Sequence, residues 1–154
     1  MLAGCAKRPA DPLEWKLTGD RPAKLQEWID TNLPLMTPQL GGEFSASVRN
    51  IQANIRGTDP VRNAAVLYQK LNGRTVREIL IEGHEIARDL TLARLNRESH
   101  NLLQLVNLSS DLTAAEKERR ETQLTARRNY IARLQETLDK GDSRLAELRA
   151  AYSK

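Results

Sequence analysis

Two long stretches of helical periodicity, separated by a short polar turn, constrain the fold of this chain most. Between Thr75 and Val106, apolar residues fall on two seams, one with Val76, Ile79, Ile86, Leu90 and Ala93 and the other with Ile81, Leu92, Leu95, Leu102, Leu103 and Val106. After the turn, near-heptad spacing joins Leu124, Ile131, Leu134, Leu138, Leu145 and Leu148. Two seams on one helix call for two packing partners, and a short turn makes successive helices antiparallel neighbours. The sequence therefore predicts an all-α fold, a helical bundle built on a long antiparallel hairpin over residues 75–152.

The start of the second long helix has a specific local signal. Thr113-Ala114-Ala115-Glu116 matches a capping box, in which the hydroxyl and the carboxylate satisfy opposite backbone N–H groups. Oppositely charged pairs four residues apart follow in this helix, namely Glu116/Arg120, Lys117/Glu121 and Glu136/Lys140. Such pairs add a few tenths of a kcal/mol each. Residues 107–111 are the predicted turn of the hairpin, and Gly141 marks a kink or an end.

Three shorter helices are predicted over residues 20–72, completing a bundle domain over 20–154. The first has Asp20 as N-cap and Pro22 in its first turn, and it stops before Pro34. The second carries an apolar stripe at helical spacing and is closed by Gly57; the stripe consists of Phe44, Val48, Ile51 and Ile55. The third begins at Asp59-Pro60 and ends at Asn72-Gly73.

Residues 1–19 form a polar, Pro-rich segment that we interpret as a tether. It contains Leu2-Ala3-Gly4-Cys5, which holds the one Cys of the 154 residues. The tetrapeptide resembles the lipobox of bacterial lipoproteins, in which a signal peptidase cuts before the Cys and the thiol carries a diacylglycerol. The resemblance implies lipidation at Cys5, a membrane anchor and a location in the bacterial cell envelope, on the periplasmic face of a membrane.

This interpretation requires a signal peptide, with a basic region and an apolar region of about 7–15 residues before the cleavage site. Only Met1 precedes Leu2 here, so we expect the reading frame to continue upstream. The alternative is a cytosolic protein with one reduced Cys.

The charge of the chain is positive but mixed. The sequence has 24 Lys and Arg against 20 Asp and Glu, and residues 113–154 hold ten basic and seven acidic residues. Two basic pairs share a face of the last helix and are candidate contacts to an anionic partner: Arg119, Arg120, Arg127 and Arg128. Interspersed carboxylates favour a solvated helix face over a phosphate-binding surface.

Catalytic and metal-binding patterns are missing from the sequence. His84 and His100 lie sixteen residues apart on one predicted helix, so they project about 160° from each other. No zinc-protease, nucleophile-elbow, P-loop or dinucleotide motif occurs. We therefore predict no enzyme activity, no catalytic residues, no metal site and no cofactor.

A second resemblance concerns Leu112-Thr113-Ala114-Ala115-Glu116. This stretch is similar to the LTxxQ element of the Spy/CpxP family of periplasmic chaperones, with Glu116 in place of the Gln. The resemblance implies a helical hairpin whose basic concave face holds unfolded client proteins. It covers about six residues, and a capping box alone produces the same letters.

The combined features predict a lipid-anchored envelope protein with a structural or adaptor role. We expect helix faces to bind another envelope protein, with the stripe of Phe44, Val48, Ile51 and Ile55 as the candidate surface. Binding to a second copy of the chain, giving a homo-oligomer, is also compatible with the sequence. The alternatives are a Spy/CpxP-like chaperone or stress sensor, and a cytosolic basic helical module that binds nucleic acid.

Overall fold

The computed structural model describes residues 9–55, 57, 59–107 and 112–150. Within these ranges the chain forms five α-helices: α1 (Pro22–Asn32), α2 (Pro38–Ala53), α3 (Pro60–Leu71), α4 (Val76–Asn107) and α5 (Ala114–Ala150). Two short 3₁₀ turns, Pro12–Glu14 and Leu33–Leu35, precede α1 and α2. No strand occurs in the described ranges, where Lys16 and Thr75 form one isolated β-bridge. The predicted all-α fold with long helices is confirmed.

Helix starts follow local capping chemistry. The Thr113–Glu116 capping box is present, with the Glu116 carboxylate accepting from the Thr113 amide at 2.8 Å and from its hydroxyl at 2.6 Å. These hydrogen bonds, first from the hydroxyl and then from the backbone, lower the pKa of Glu116. Thr75 and Glu78 build an equivalent box at the start of α4, which the sequence analysis missed. The predicted Asp20 cap is wrong, because α1 begins at Pro22 with Arg21 in the cap position.

The chain divides into two compact units. Unit 1 comprises residues 1–86 and 148–154, and unit 2 comprises residues 87–147. A single bundle domain over 20–154 was the prediction; the division instead runs through α4 and α5, and a hydrophobic cluster of buried residues lies in unit 1. That cluster consists of Trp15, Leu17, Leu25, Met36, Phe44, Ile51, Leu71, Val76, Ile79, Leu80 and Leu148.

A close helix crossing organises unit 1. Gly83 of α4 lies against Ser47 of α2, and a methyl group at position 83 would overlap the Cβ and Cα atoms of Ser47. Next to the contact, the Asn50 side-chain amide (Nδ2) donates to the Gly83 carbonyl oxygen at 3.2 Å. Only a residue without a side chain allows the two backbones to come this close.

The N-terminal segment is part of the fold of unit 1. Trp15 and Leu17 are buried, and backbone hydrogen bonds join Trp15 O to the Val76 amide and Leu17 N to the Arg74 carbonyl. The Leu17 carbonyl accepts from Gly73, whose φ of +81° favours glycine. A tether over 1–19 was therefore wrong for residues 9–19, because their two large apolar side chains complete the core. The lipobox-like tetrapeptide and Cys5 lie outside the described residues.

A buried cation secures the same segment. The Arg77 side chain is 5% exposed, and its guanidinium donates to the Glu14 carboxylate at 2.7 and 3.0 Å. Weaker contacts of 3.5 Å reach the Asp11 carboxylate and the Leu148 carbonyl. The guanidinium is buried while its carboxylate partners are about half exposed, and these contacts connect the N-terminal segment, α4 and the end of α5.

Unit 2 buries little of α4. Its buried apolar residues, Leu124, Leu134 and Leu145, all come from α5. Leu90, predicted to sit in a core seam, is 51% exposed. Two packing partners were predicted for this helix, whereas in unit 2 Leu90 and Ala93 of the first seam are exposed and Leu92 and Leu95 of the second are half-buried. α5 continues through Gly141 without ending there.

The helix crossing in unit 1 gives a first prediction. Gly83→Ala should lower the free energy of unfolding by about 2 kcal/mol, since overpacking against the α2 backbone outweighs the better helix propensity of Ala. Chemical denaturation measures this change.

Gly141→Ala is the matched control, because no atom lies within 4 Å of an added methyl group in the middle of α5. It should stabilise the protein by up to about 1 kcal/mol. Equal effects of the two substitutions would contradict the close crossing.

Candidate functional site

The two helical segments of unit 2 pair in opposite directions through side chains. The Arg88 Nε donates to Asp142 at 2.7 Å, and the Arg127 guanidinium contacts Glu98 at 2.6 Å. Nearer the turn, Arg120 bonds to the end of α4. As the residue numbers of the partners increase along α4, those along α5 decrease, so this part of the predicted hairpin is antiparallel.

Arg120 caps the C-terminus of α4. Its Nε donates to the Leu105 carbonyl at 3.1 Å and its Nη2 donates to the Val106 carbonyl at 2.5 Å. The last carbonyls of a helix have no donor within the helix and carry the negative end of its dipole. A guanidinium at this position donates hydrogen bonds to the carbonyls and its positive charge stabilises the dipole. The predicted Glu116/Arg120 surface pair is replaced by this cap and by the Thr113–Glu116 box.

The last turns of α4 expose apolar side chains. Leu103 is 61% exposed and Val106 is 45% exposed, while Leu102 and Leu105 are half-buried. We call these four residues the α4 end. Clustered exposed aliphatic residues on a polar helix mark candidate interaction sites. Unit 2 thus presents exposed apolar side chains next to the capped terminus of α4.

The stripe predicted to bind a partner is placed differently. Phe44 and Ile51 are each 1% exposed and belong to the core of unit 1. Val48 is half-buried against that core, and Ile55 lies beyond the end of α2 at Ala53. The prediction of a partner surface is wrong for Phe44 and Ile51, because the helix packs this stripe inward. An amphipathic pattern alone does not separate a core face from a docking face.

The candidate anion-binding arginines are mostly engaged within unit 2. Arg127 contacts Glu98 at 2.6 Å, Arg128 contacts Glu121 at 3.5 Å, and Arg120 caps α4. Arg119 is exposed. Three of the four candidate arginines therefore already contact carboxylates or carbonyls of unit 2.

Unit 1 carries an open groove beside α1. Its volume is about 330 Å³, and it is lined by Thr18, Gly19, Asp20, Lys24, Glu27, Trp28, Thr31 and Asn32. Asn32 is 2% exposed, and its Oδ1 atom has no hydrogen-bond donor among the described residues. The groove was not predicted from the sequence, since its walls come from the N-terminal segment and one helix.

The histidines lie in different units. His84 is half-buried in unit 1, whereas His100 is exposed in unit 2 and contacts Gln104 at 2.9 Å. Among the described residues, no cluster of three or more His, Cys, Asp or Glu side chains could hold a metal ion. The candidate surfaces on these residues are the α4 end and the groove.

The cap on α4 gives a second prediction. Arg120→Ala should destabilise the protein by about 1–2 kcal/mol, because two carbonyls lose a charged donor at a partly solvated position. Arg119→Ala, the neighbouring exposed arginine, should change stability by less than about 0.5 kcal/mol. Thermal unfolding of both variants provides the measurement, and matching losses would show that Arg120 does not act as a cap.

Comparison of the chain with protein-family models, with curated proteins and with solved structures finds no match. Of the helices in the described ranges, none combines the length and apolar character needed to cross a bilayer. Inferences about function therefore rest on the chain's own surfaces and on its N-terminal motif.

Proposed function

We propose that this chain is a lipid-anchored protein of the bacterial envelope with a structural or adaptor role, and that it binds another envelope protein through a helix face. The exposed α4 end carries the proposal. Its Leu103 and Val106 side chains lie three residues apart and so share one face of the helix. A groove on a partner would remove both from water, at a gain of about 25 cal/mol per Å² of apolar area.

The internal contacts of the basic residues favour an adaptor over the alternatives. A client-binding chaperone with a basic face, or a nucleic-acid-binding module, needs cations that are available to the ligand. Arg120 and Arg127 instead make hydrogen bonds inside unit 2. An apolar face of a few residues suits a single, shape-matched partner better than many clients.

The lipid-anchor part of the proposal rests on Leu2-Ala3-Gly4-Cys5. The hydrogen bonds of unit 1 reach back to Pro9, whose carbonyl accepts from the Trp15 indole at 2.8 Å. Pro9 follows Cys5 by four positions, and a fully extended chain of that length spans at most about 14 Å. A lipid on Cys5 would therefore hold unit 1 close to the bilayer surface.

A pulldown tests the adaptor role. We expect crosslinking of the full-length protein in its native cell to recover one or a few envelope proteins. The double variant Leu103→Gln with Val106→Gln should lose most of that recovery, because it makes the α4 end polar. Unfolding midpoints should stay close to those of the parent protein, since both positions are exposed.

Leu90→Gln is the control, because Leu90 is similarly exposed on α4 but points about 140° away from Leu103 around the helix. It should leave the recovery unchanged. Equal recovery with all variants would contradict the proposed surface. Suppression of aggregation across several unrelated unfolded proteins would favour the chaperone alternative.

Mass spectrometry tests the anchor. The product of the complete reading frame, isolated from a bacterial host, should begin at an acylated Cys5. Cys5→Ser should abolish acylation and leave the unprocessed precursor, because serine lacks the thiol that carries the lipid. A native product that retains Met1 and a free Cys5 thiol would exclude lipidation.

A further inference from the structure

The groove of unit 1 combines an aromatic side chain with acidic charge. Its lining contains the carboxylates of Asp20 and Glu27 against the single ammonium of Lys24. The chain as a whole has a net charge of +4, so this local excess of negative charge runs against the overall balance. Such a site attracts a cation to one place on a basic protein.

The two carboxylates are not equivalent. Glu27 contacts the Lys24 ammonium at 2.6 Å, and this hydrogen bond, with the charge of Glu27, raises the pKa of Lys24. Asp20 has no hydrogen bond or ion pair within the part of the chain that the structure describes. It is exposed, and its charge acts on Lys24 only at longer range. Asp20 is therefore the carboxylate that is available to a ligand.

Trp28 supplies the aromatic wall. Its ring contacts Phe44 of the core at a centroid distance of 6.3 Å and a tilt of 53°, which fixes the indole in place. The residue is half-buried, so part of its surface remains open to the groove. Trp is the side chain that attracts cations most strongly through its π-system.

Asn32 belongs to the lining of the groove and is itself buried. Its Nδ2 donates to the Trp28 carbonyl at 2.6 Å, while its Oδ1 lacks a donor among the described residues. Because this Oδ1 atom is shielded from solvent, it does not contact a ligand in the groove, and recognition rests on Asp20 and Trp28.

We propose that this groove binds an arginine side chain in an extended basic segment of a protein partner. A guanidinium is planar, so it stacks on the indole of Trp28. It also carries five donors, two of which can bind the Asp20 carboxylate in parallel. Lysine offers a point charge without the flat face, and a neutral sugar lacks the charge that Asp20 selects. This proposal concerns unit 1 and stands apart from the α4 end.

Nuclear magnetic resonance titration of the full chain with acetyl-Arg-Arg-Arg-amide tests the proposal. We expect saturable shifts of the Trp28 indole N–H and of the Asp20 and Lys24 amides. The same peptide with citrulline in place of arginine should give no saturable shift, since citrulline keeps the shape but loses the charge. Raising the salt concentration should weaken binding, because the site is exposed.

Asp20→Asn should weaken binding by about two- to five-fold, the range expected for an exposed ion pair. Asp30→Asn removes the same charge from the exposed surface of α1 outside the groove and should leave the affinity unchanged. Trp28→Leu should abolish the stacking contribution, with thermal unfolding as the check that unit 1 remains folded.

Several outcomes would overturn the proposal. Equal weakening by Asp20→Asn and Asp30→Asn would mean diffuse charge attraction rather than a site. Absence of saturation at millimolar peptide would exclude the groove as an arginine site. Saturable shifts of Trp28 with a neutral oligosaccharide, but none with the arginine peptide, would assign the groove to sugars instead.

Discussion

The contact between Gly83 and Ser47 is the constraint on which unit 1 depends. It brings the backbones of α2 and α4 together so closely that a single methyl group would force them apart. The Asn50 amide fixes the rotation of the two helices by bonding to the Gly83 carbonyl. In this arrangement Phe44 and Ile51 are buried in the core, so they are not accessible to a partner protein. The close packing at one glycine thus places the apolar stripe of α2 in the core.

Charged residues also serve the fold more than the sequence suggests. Arg77 is nearly buried and binds Glu14, so it holds the N-terminal segment to α4. Arg120 binds helix carbonyls, and Arg127 joins α5 to Glu98 of α4. In a two-helix segment with few buried apolar residues, such contacts determine how the helices align. The net positive charge of the chain therefore does not predict the charge of its ligand, because the lining of the groove has a local excess of negative charge.

Local chemistry was predictable from the sequence, and long-range packing was not. The Thr113–Glu116 box, the start of α3 at Asp59-Pro60 and its end near Gly73 all follow from interactions within a few residues. Leu90 was misplaced, because a seam indicates amphipathicity but not the number of partner helices. Segment 9–19 looked like a tether, since its burial depends on backbone pairing with residues 73–76. Gly19 in the wall of the groove beside α1 is held by hydrogen bonds with Tyr68 and Asn72, so no local pattern could have indicated the groove.

Folding of residues 9–19 also bears on how an anchored protein would meet its partners. If lipid is attached at Cys5, the span of at most about 14 Å to Pro9 keeps unit 1 at the membrane rather than on a long, mobile tether. A short linker raises the effective concentration of sites near the same surface. Asp20 belongs to the groove and follows directly after this segment. An arginine-rich segment of another membrane-associated protein would therefore meet the groove at high local concentration, so a contact that is weak in free solution could suffice for an adaptor.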